Sequence, residues 1–310
     1  MIHVESLTKY YNDLCAVDQI SFDIKTGEIL GLLGPNGAGK TTTLRMLTGF
    51  IHPTSGNISV KDFNIDKHPL EIKKLMGYLP ESAPLYHDML VYDYLSFVLS
   101  IRGIGVEKKT SRIHKLADLC GINEIMHKPV GELSKGYRQR VGLAHAMMSD
   151  PEILILDEPT SGLDPNQIVE IREIIRRIGK EKTVILSTHI LSEAEATCDR
   201  IIIINHGRIV ADGSAETLKQ SASGEYLINI SLKNAEFKSV EDELISIDGI
   251  KSVTPIENEE YLQVKLLCKS PSDLRGNIYR KIKQTDWILI GFYRETRTLE
   301  NIFRELTREV

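Results

Sequence analysis

The chain has 310 residues, of which 42% are hydrophobic and 26% are charged, so it is long enough for two globular domains and excludes a disordered or fibrous protein. Lys and Arg number 38 against 43 Asp and Glu, and the formal charge of −5 provides no positive field that gathers phosphate backbones. The composition therefore predicts no nucleic acid partner.

The four cysteines lie far apart without a CxxC pair, which predicts reduced packing residues rather than a zinc site or a disulfide framework. The N-terminal segment lacks the basic stretch and apolar run of a signal peptide. A membrane span needs about 20 apolar residues, whereas the longest runs, Ile153 to Leu156 and Ile201 to Ile204, have the length of strands. We expect a chain that is not exported and does not cross a membrane alone.

Short β-branched runs alternate with helical patterns over the first two thirds of the chain. Strands are predicted at Gln19 to Ile24, Glu28 to Leu33 and near Ile58, Met76, Ile153, Thr183 and Arg200, with a helix from Lys40. That order predicts an α/β domain with a largely parallel central sheet. Two amphipathic patterns, Val91 to Arg102 and Glu107 to Cys120, predict a helical subdomain at about 84–131.

Small and polar residues from Gln220 to Gly224 indicate a domain boundary. The remaining elements are predicted as strand Tyr226 to Leu232, helix Phe237 to Ile247, strands Ile250 to Ile256 and Tyr261 to Leu267, helix Pro271 to Gln284, strand Trp287 to Arg294 and helix Leu299 to Arg308. The βαββαβ order is that of a small α+β, ferredoxin-like domain with one added helix. We expect domains at 1–220 and 225–310, the second accessory or regulatory.

A glycine-rich segment follows the apolar strand that ends at Leu33. Its residues match the P-loop pattern of strand, loop and helix, and they are Gly34, Pro35, Asn36, Gly37, Ala38, Gly39, Lys40, Thr41 and the following Thr42. Backbone N–H groups of such a loop and the dipole of the helix bind the β-phosphate of a nucleotide, and Lys40 reaches the β and γ oxygens. Thr41 is placed to ligate Mg²⁺. The alternative is a glycine turn before an ordinary helix.

Two adjacent carboxylates, Asp157 and Glu158, follow the buried strand Ile153 to Leu156. This places them at the carboxyl edge of the sheet, where α/β folds bind ligands. Asp157 is expected to hold Mg²⁺, directly or through water, and Glu158 to take a proton from the attacking water. An acidic pair after a strand can also be solvated, but the P-loop upstream favours the catalytic interpretation.

The segment Leu133 to Arg140, Leu-Ser-Lys-Gly-Tyr-Arg-Gln-Arg, precedes a long helical pattern, so Ser134 and the Gly136 N–H lie where a helix N-terminus meets phosphate. Alone, this pattern indicates a helix cap. In order and spacing, however, the P-loop, Leu-Ser-x-Gly, Asp157-Glu158, Ser161-Gly-Leu-Asp164 and His189 resemble the ATPase domain of ABC transporters over residues 1 to about 220.

The resemblance implies a head-to-tail dimer that holds each ATP between the P-loop of one subunit and the Ser134 to Gly136 loop of the other. By position, Tyr11 matches the aromatic residue that stacks on adenine. Asp164 matches the aspartate of the segment that joins the two sites, and His189 matches the histidine that contacts the γ-phosphate. Plainer alternatives are a core aromatic for Tyr11, a turn residue for Asp164 and a strand-end histidine for His189.

Three positions depart from the family pattern. Lys135 and Tyr137 replace the usual glycine and glutamine, and Glu81 replaces a glutamine that serves as a metal and water ligand. Glu81 is thus a predicted metal ligand, with a merely solvated side chain as the alternative. The signature spelling, Glu81 and the C-terminal domain together resemble the branch that serves simple exporters, and most closely the ATPase subunits of gliding motility.

What the resemblance implies is an ATP-binding and hydrolysing subunit of an ABC exporter, with ATP and Mg²⁺ as cofactors. It is expected to lie peripherally on the cytoplasmic face of the inner membrane and to drive separate transmembrane permease subunits through the 84–131 lobe. The alternative is a soluble ABC ATPase that acts on ribosomes or nucleic acid; those proteins resemble fused tandem cassettes or carry coiled-coil insertions, whereas this chain has one cassette. A non-catalytic scaffold would require damaged motifs, but Lys40, Asp157, Glu158 and His189 are all present.

Overall fold

The computed structural model describes residues 1–221, 225–256, 260–270, 272–295 and 299–307. The chain divides into two compact units, the first covering Met1–Ala215 and the second beginning at Glu216. The predicted linker residues 222–224, and the predicted element limits at Pro271 and Arg308, lie outside the described residues.

The first unit contains β1 (Ile2–Tyr11), β2 (Leu14–Ile24), β3 (Ile29–Leu33), α1 (Lys40–Leu47), β4 (Ser55–Val60), β5 (Phe63–Asn64), α2 (Pro69–Leu75), β6 (Met76–Leu79), α3 (Val91–Ile101), α4 (Val106–Cys120), α5 (Lys135–Ala146), β7 (Ile153–Asp157), α6 (Pro165–Gly179), β8 (Thr183–Thr188), α7 (Leu191–Thr197), β9 (Arg200–Asn205) and β10 (Arg208–Gly213). Helix α8 (Ala215–Ser221) begins at the boundary between the units.

The central sheet has the strand order β10-β9-β3-β8-β7-β6 within the described residues. All neighbouring strands are parallel except β10, which pairs antiparallel with β9. Strands β3, β7 and β8 are buried at every position, as expected of parallel strands covered on both faces. Because parallel strands end at one edge, the loops that follow β3, β6, β7 and β8 meet at the carboxyl edge of this sheet.

A second sheet, with the order β2-β1-β4-β5, is antiparallel. Two predicted strands, at Gln19 to Ile24 and near Ile58, lie in this second sheet, whereas the prediction of a largely parallel central sheet is confirmed by the other strands. Strand β1 was not predicted, although its first residues show the alternation of a half-buried strand, with Ile2 and Val4 buried and His3 and Glu5 exposed. Only two residues join β1 to β2, and such a short connection permits antiparallel pairing alone.

Helices α3 and α4 confirm the two predicted helical patterns within one residue at each end. They pack with α5 around a buried cluster that includes Tyr94, Leu95 and Leu116. Helix α4 ends at Gly121, whose φ of 63° gives the left-handed cap that favours glycine. The segment that separates β6 from β7 is therefore helical and packs on the same core as one face of the central sheet.

The second unit contains β11 (Glu225–Lys233), α9 (Phe237–Ile245), β12 (Ile250–Ile256), β13 (Leu262–Lys269), α10 (Arg275–Ile282), β14 (Ile288–Glu295) and α11 (Leu299–Thr307). Its antiparallel sheet has the order β12-β13-β11-β14 in the described residues, and α9 and α10 contribute Val240, Leu244 and Ile278 to its core. Helix α10 starts at Arg275, later than predicted, and the Tyr226 hydroxyl accepts the N–H of the preceding Leu274 at 2.8 Å.

Within the described part of the chain, no helix combines the length and the apolar character that a membrane span requires.

Candidate functional site

The loop between β3 and α1 can be built only with glycine at particular positions. Gly37 and Gly39 have φ angles of 81° and 107°, in the left-handed region. A Cβ atom on Gly39 would lie 2.5 Å from the Ala16 carbonyl oxygen, and one on Gly34 would lie 2.3 Å from that of Ile204. The loop therefore leads tightly into α1, whose N-terminus faces this segment and favours an anion there.

The Lys40 ammonium is almost fully buried at this loop, with only 6% of its side chain exposed. It donates hydrogen bonds to the carbonyl oxygens of Gly34 at 2.8 Å and Pro35 at 3.2 Å. It also lies 3.3 Å from Oε1 of Glu158, which is 9% exposed. The structure thus joins the predicted phosphate lysine to the predicted general base in a buried ion pair.

Asp157 lies at the end of β7 and is 1% exposed. Its Oδ1 accepts hydrogen bonds from the Thr41 hydroxyl at 3.0 Å and from the Ser187 hydroxyl at 2.7 Å. In the described residues, no cluster of three or more His, Cys, Asp or Glu side chains forms a complete metal cage. Mg²⁺ commonly binds one or two protein oxygens together with phosphates and water, so the Thr41 and Asp157 oxygens fit it.

Glu158 adopts a φ of 48°, which is uncommon for a residue with a side chain. Its N–H donates to the Ser187 hydroxyl at 2.9 Å, which fixes this strained backbone to β8. Its Oε2 lies 2.9 Å from Nδ1 of His189, whose side chain is 42% exposed. The carboxylate therefore lies between a buried ammonium and a solvent-facing imidazole.

A cleft of about 460 Å³ opens over these groups. Its lining residues are Tyr11, Leu14, Ala16, Asn36, Gly37, Ala38, Gly39, Lys40, Thr41, Thr42, Glu81, Glu158, Ser161 and His189. Tyr11 is 43% exposed rather than a core aromatic, and the Lys9 ammonium lies 5.5 Å from its ring centroid. Glu81 follows β6 and is exposed. Most of the predicted nucleotide residues therefore share one concave site.

Ser134, Gly136 and Asp164 are not part of that lining. The exposed Ser134 caps α5 by accepting the Tyr137 N–H at 3.3 Å. Asp164 caps α6 by accepting hydrogen bonds from two backbone N–H groups at 3.0 Å. Gly136, in α5, packs closely on α6, since a Cβ atom on it would lie 2.7 Å from the side chain of Gln167. Within one chain, Ser134 and Asp164 are helix caps and Gly136 lies in the first turn of α5, and none of the three lines the cleft.

Lys135, the first departure from the family pattern, packs against the segment that contains Asp164. A Cβ on Gly162 would lie 2.3 Å from the Lys135 ammonium. Tyr137 instead contacts Arg140, whose guanidinium lies 5.6 Å from the ring centroid. Both replacements therefore contact neighbours within this chain.

Two polar residues of the site were missed by the sequence analysis. Ser187 is fully buried and connects Asp157 with the backbone of Glu158. Glu193 is 6% exposed and contacts the loop after β7 and the last residue of β8. A signal for Ser187 was available, because a polar Ser-Thr pair directly before His189 is unusual at the end of a buried apolar strand.

The neighbouring strand β6 contributes Tyr78, which is partly buried beside β7. Burial, and next the negative charge of Asp157, raise the pKa of Tyr78 to about 12. This phenol therefore remains neutral near the acidic end of β7.

A family model described as "ABC transporter" matches residues 17–161, which include the P-loop and the two carboxylates. A second model, described as an AAA domain, putative AbiEii toxin, Type IV TA system, matches residues 129–194.

Three relatives are similar over most of their length. The bacitracin transport ATP-binding protein of Bacillus licheniformis is 40% identical over 71% of this chain and 72% of its own. The Nod factor export ATP-binding protein I of Burkholderia orbicola is 36% identical over 74% and 76%. An uncharacterized ABC transporter ATP-binding protein of Bacillus subtilis, YhcH, is 32% identical over 100% of this chain and 96% of its own.

Solved structures show the same fold. The cbiO1 protein of Clostridium perfringens, part of the ABC transporter complex cbiONQ, aligns with a TM-score of 0.66 at 30% identity over 71% of this chain and 90% of that chain. A dimeric ATP-binding cassette bound to ADP and Pi has a TM-score of 0.64 at 23% identity over 69% and 98%, a likeness that shows the fold alone. This chain belongs to the ATP-binding subunits of ABC transporters and is an ATPase.

Proposed function

We propose that this chain hydrolyses ATP as a head-to-tail dimer and thereby drives an ABC exporter through separate membrane subunits. The observation that carries the proposal is the convergence of Lys40, Asp157 and Glu158 at the carboxyl edge of the central sheet, within hydrogen-bond or ion-pair distance of the P-loop. This arrangement supplies a phosphate cradle, oxygen donors for a metal and a carboxylate base at one place.

The residues of the cleft have separate roles in nucleotide binding and hydrolysis. The P-loop and Lys40 bind the phosphates, while the half-exposed Tyr11 offers a ring face to the base of ATP. Mg²⁺ bound at the Thr41 and Asp157 oxygens, with Glu81 as a further candidate ligand, would neutralise charge on the phosphates. Glu158 accepts the proton of the attacking water.

His189 completes the cleft on the side of Glu158. It lines the same cleft and lies 2.9 Å from the Glu158 carboxylate, so a γ-phosphate there is within reach of its ring. An ionised carboxylate only accepts hydrogen bonds, so the Nδ1 of His189 is the donor in this contact. His189 is proposed to contact the γ-phosphate while orienting Glu158.

The head-to-tail dimer gives a role to residues outside the cleft. Ser134 is exposed at the N-terminus of α5, where backbone N–H groups and the helix dipole favour an anion. Asp164 is also exposed and lies outside the cleft of its own chain. We infer that Ser134, Gly136 and Asp164 complete the ATP site of a second subunit. A solved protein of the same fold is a dimer, which supports dimer formation as such.

Export is the favoured direction because relatives carry the names bacitracin transport and Nod factor export. Within exporters, the signature spelling and Glu81 support a gliding-motility type. A peripheral position of the chain on the cytoplasmic face of the inner membrane is proposed because the chain is proposed to act together with membrane subunits. The similar cbiO1 protein is part of an ABC transporter complex, cbiONQ. The relatives named above are transport and export ATP-binding proteins, which favours an exporter over the soluble alternative.

For the second domain we propose a ferredoxin-like fold with an accessory or regulatory role. The βαββαβ order and the sheet order β12-β13-β11-β14 support this assignment. We propose domains at 1–220 and 225–310, with a helical subdomain at about 84–131. The P-loop, Asp157 and Glu158 belong to the first of these.

The decisive variant for this function is Glu158→Gln, which keeps the shape of the side chain and removes the base. ATP binding is expected to persist while turnover falls by about 10²–10⁴-fold. The matched control is Glu173→Gln, the same substitution at an exposed position on α6. Wild-type turnover in Glu158→Gln, purified free of other hydrolases, would remove Glu158 from the base role.

The transport assignment has a separate test. Detergent-solubilised membranes are used to isolate the chain with its bound proteins. Hydrophobic membrane subunits are the expected partners, and co-isolation of ribosomes or DNA in their place would overturn the assignment while leaving the ATPase activity intact.

A further inference from the structure

The start of helix α7 contains a buried carboxylate that no step of the proposed hydrolysis uses. Glu193 lies in the first turn of α7 and is 6% exposed. A buried carboxylate is costly unless hydrogen bonds compensate for its lost hydration. The partners of Glu193 therefore indicate why a charge is placed there.

Both partners are threonine hydroxyls at the catalytic edge of the sheet, one in the loop after β7 and one at the end of β8. Oε2 of Glu193 accepts a hydrogen bond from Thr160 at 2.5 Å and another from Thr188 at 3.1 Å. Thr160 and Thr188 are 4% and 0% exposed, so these bonds are shielded from water. One oxygen atom thus joins the loop after β7 to the end of β8.

These two threonines directly flank the reacting residues. Thr160 follows Glu158 by two positions, and the Ser161 N–H closes that turn by donating to the Glu158 carbonyl at 3.1 Å. Thr188 precedes His189, and its hydroxyl also accepts the Ile190 N–H at 3.0 Å, which forms a turn across the histidine. Glu193 therefore braces the backbone on both sides of the 2.9 Å contact between Glu158 and His189.

The same carboxylate is poorly satisfied for a purely structural group. Its second oxygen, Oε1, is buried and finds no hydrogen-bond partner among the described residues. An apolar residue would fill this space without that desolvation cost. What the carboxylate offers and an apolar side chain lacks is an oxygen that accepts hydrogen bonds from two hydroxyls at once.

We propose that Glu193 is a positioning residue for ATP hydrolysis, which sets the distance and orientation between Glu158 and His189 by binding Thr160 and Thr188. The inference rests on the proposed roles of Glu158 and His189. Because the P-loop makes none of these hydrogen bonds, Glu193 acts on turnover and leaves ATP binding unchanged.

The test compares kcat and ATP affinity in the full-length chain. Glu193→Ala is expected to lower kcat by at least about tenfold with ATP affinity within about twofold, since two buried hydrogen bonds are lost at the catalytic loops. Glu193→Gln retains a carbonyl oxygen that can accept from both hydroxyls, so it should recover kcat to within a few-fold of the wild type.

Threonine variants separate the network from the general stability of α7. Thr160→Val and Thr188→Val each remove one hydroxyl and conserve shape, and each is expected to lower kcat by several-fold. Thr197→Val is the matched control, because the Thr197 hydroxyl on the same helix is buried without a partner among the described residues. Its kcat should equal that of the wild type. These variants keep the proposal testable if Glu193→Ala does not fold.

A His189→Ala background distinguishes positioning from a structural role. There, Glu193→Ala should change the single-turnover rate by less than about twofold, because the contact that it positions is already absent. Any of three results would overturn the proposal. They are a wild-type kcat in Glu193→Ala, a loss of kcat in Thr197→Val as large as that in Glu193→Ala, and a loss of ATP affinity in Glu193→Ala that matches its loss of kcat. Glu158→Gln is measured alongside: its full activity would refute the base assignment, whereas its inactivity beside an active Glu193→Ala would refute the positioning role alone.

Discussion

The buried ion pair between Lys40 and Glu158 predicts an energetic coupling that can be measured without nucleotide. The perturbation is a double-mutant cycle of Lys40→Met, Glu158→Gln and the combined variant, all in nucleotide-free protein with chelator present. Both side chains are at least nine-tenths buried, and their charged atoms are 3.3 Å apart. Removing one charge leaves the other buried, whereas removing both leaves neither.

The magnitude follows from the geometry. At 3.3 Å and an effective dielectric of about 20, the attraction is about 5 kcal/mol before the desolvation of both charges is subtracted. After one substitution the remaining charge keeps other partners, two backbone carbonyls for Lys40 and the His189 ring for Glu158. Each single variant should therefore lose about 3 kcal/mol of unfolding free energy, with a coupling of about 2 kcal/mol in the cycle.

The assay uses denaturant unfolding followed by two signals. The single tryptophan, Trp287, belongs to the second unit, so its fluorescence reports that unit. The circular dichroism signal reports the unfolding of both units. The transition seen by circular dichroism but not by fluorescence is assigned to the first unit. The control cycle is Lys281→Met with Glu243→Gln, because this 2.8 Å pair is partly exposed and should couple by less than about 1 kcal/mol. Additivity of the Lys40 and Glu158 effects within about 0.5 kcal/mol would refute the reasoning.

Three further outcomes are expected. Lys40→Ala should weaken ATP binding roughly ten- to a hundredfold, since a charge-assisted contact to phosphate is worth about 1.5–3 kcal/mol, and unchanged affinity by calorimetry would contradict this role. A chain cut near Ser223 should still bind ATP, and a folded truncation that cannot bind it would place the domain boundary elsewhere. Glu81→Gln should preserve hydrolysis but reduce its dependence on free Mg²⁺, because an ionised carboxylate needs the cation between itself and the phosphates. Superimposable Mg²⁺ titrations at fixed ATP would favour a solvated Glu81.

Much of the fold could be predicted from local patterns. Helices α3 and α4 and strands β3 and β7 lie close to their predicted limits, since the periodicity of apolar residues directly reflects which face is buried. The antiparallel sheet of the first unit was harder to predict from the sequence. The β1–β2 hairpin pairs near neighbours, but β1 also pairs with β4 across more than 40 residues, and no local pattern encodes that partner.

The chemistry proposed for the site could be predicted from local motifs, because the P-loop glycines, Lys40 and the carboxylates after β7 have a spacing that depends only on a strand, a turn and a helix. Tertiary structure alone decided that Lys40 pairs with Glu158 and that Ser187 connects Asp157 with the Glu158 backbone. The physical reason is the strand order. β8 lies between β3 and β7, so residues about 30 to 120 positions apart become hydrogen-bond partners only when the parallel sheet forms.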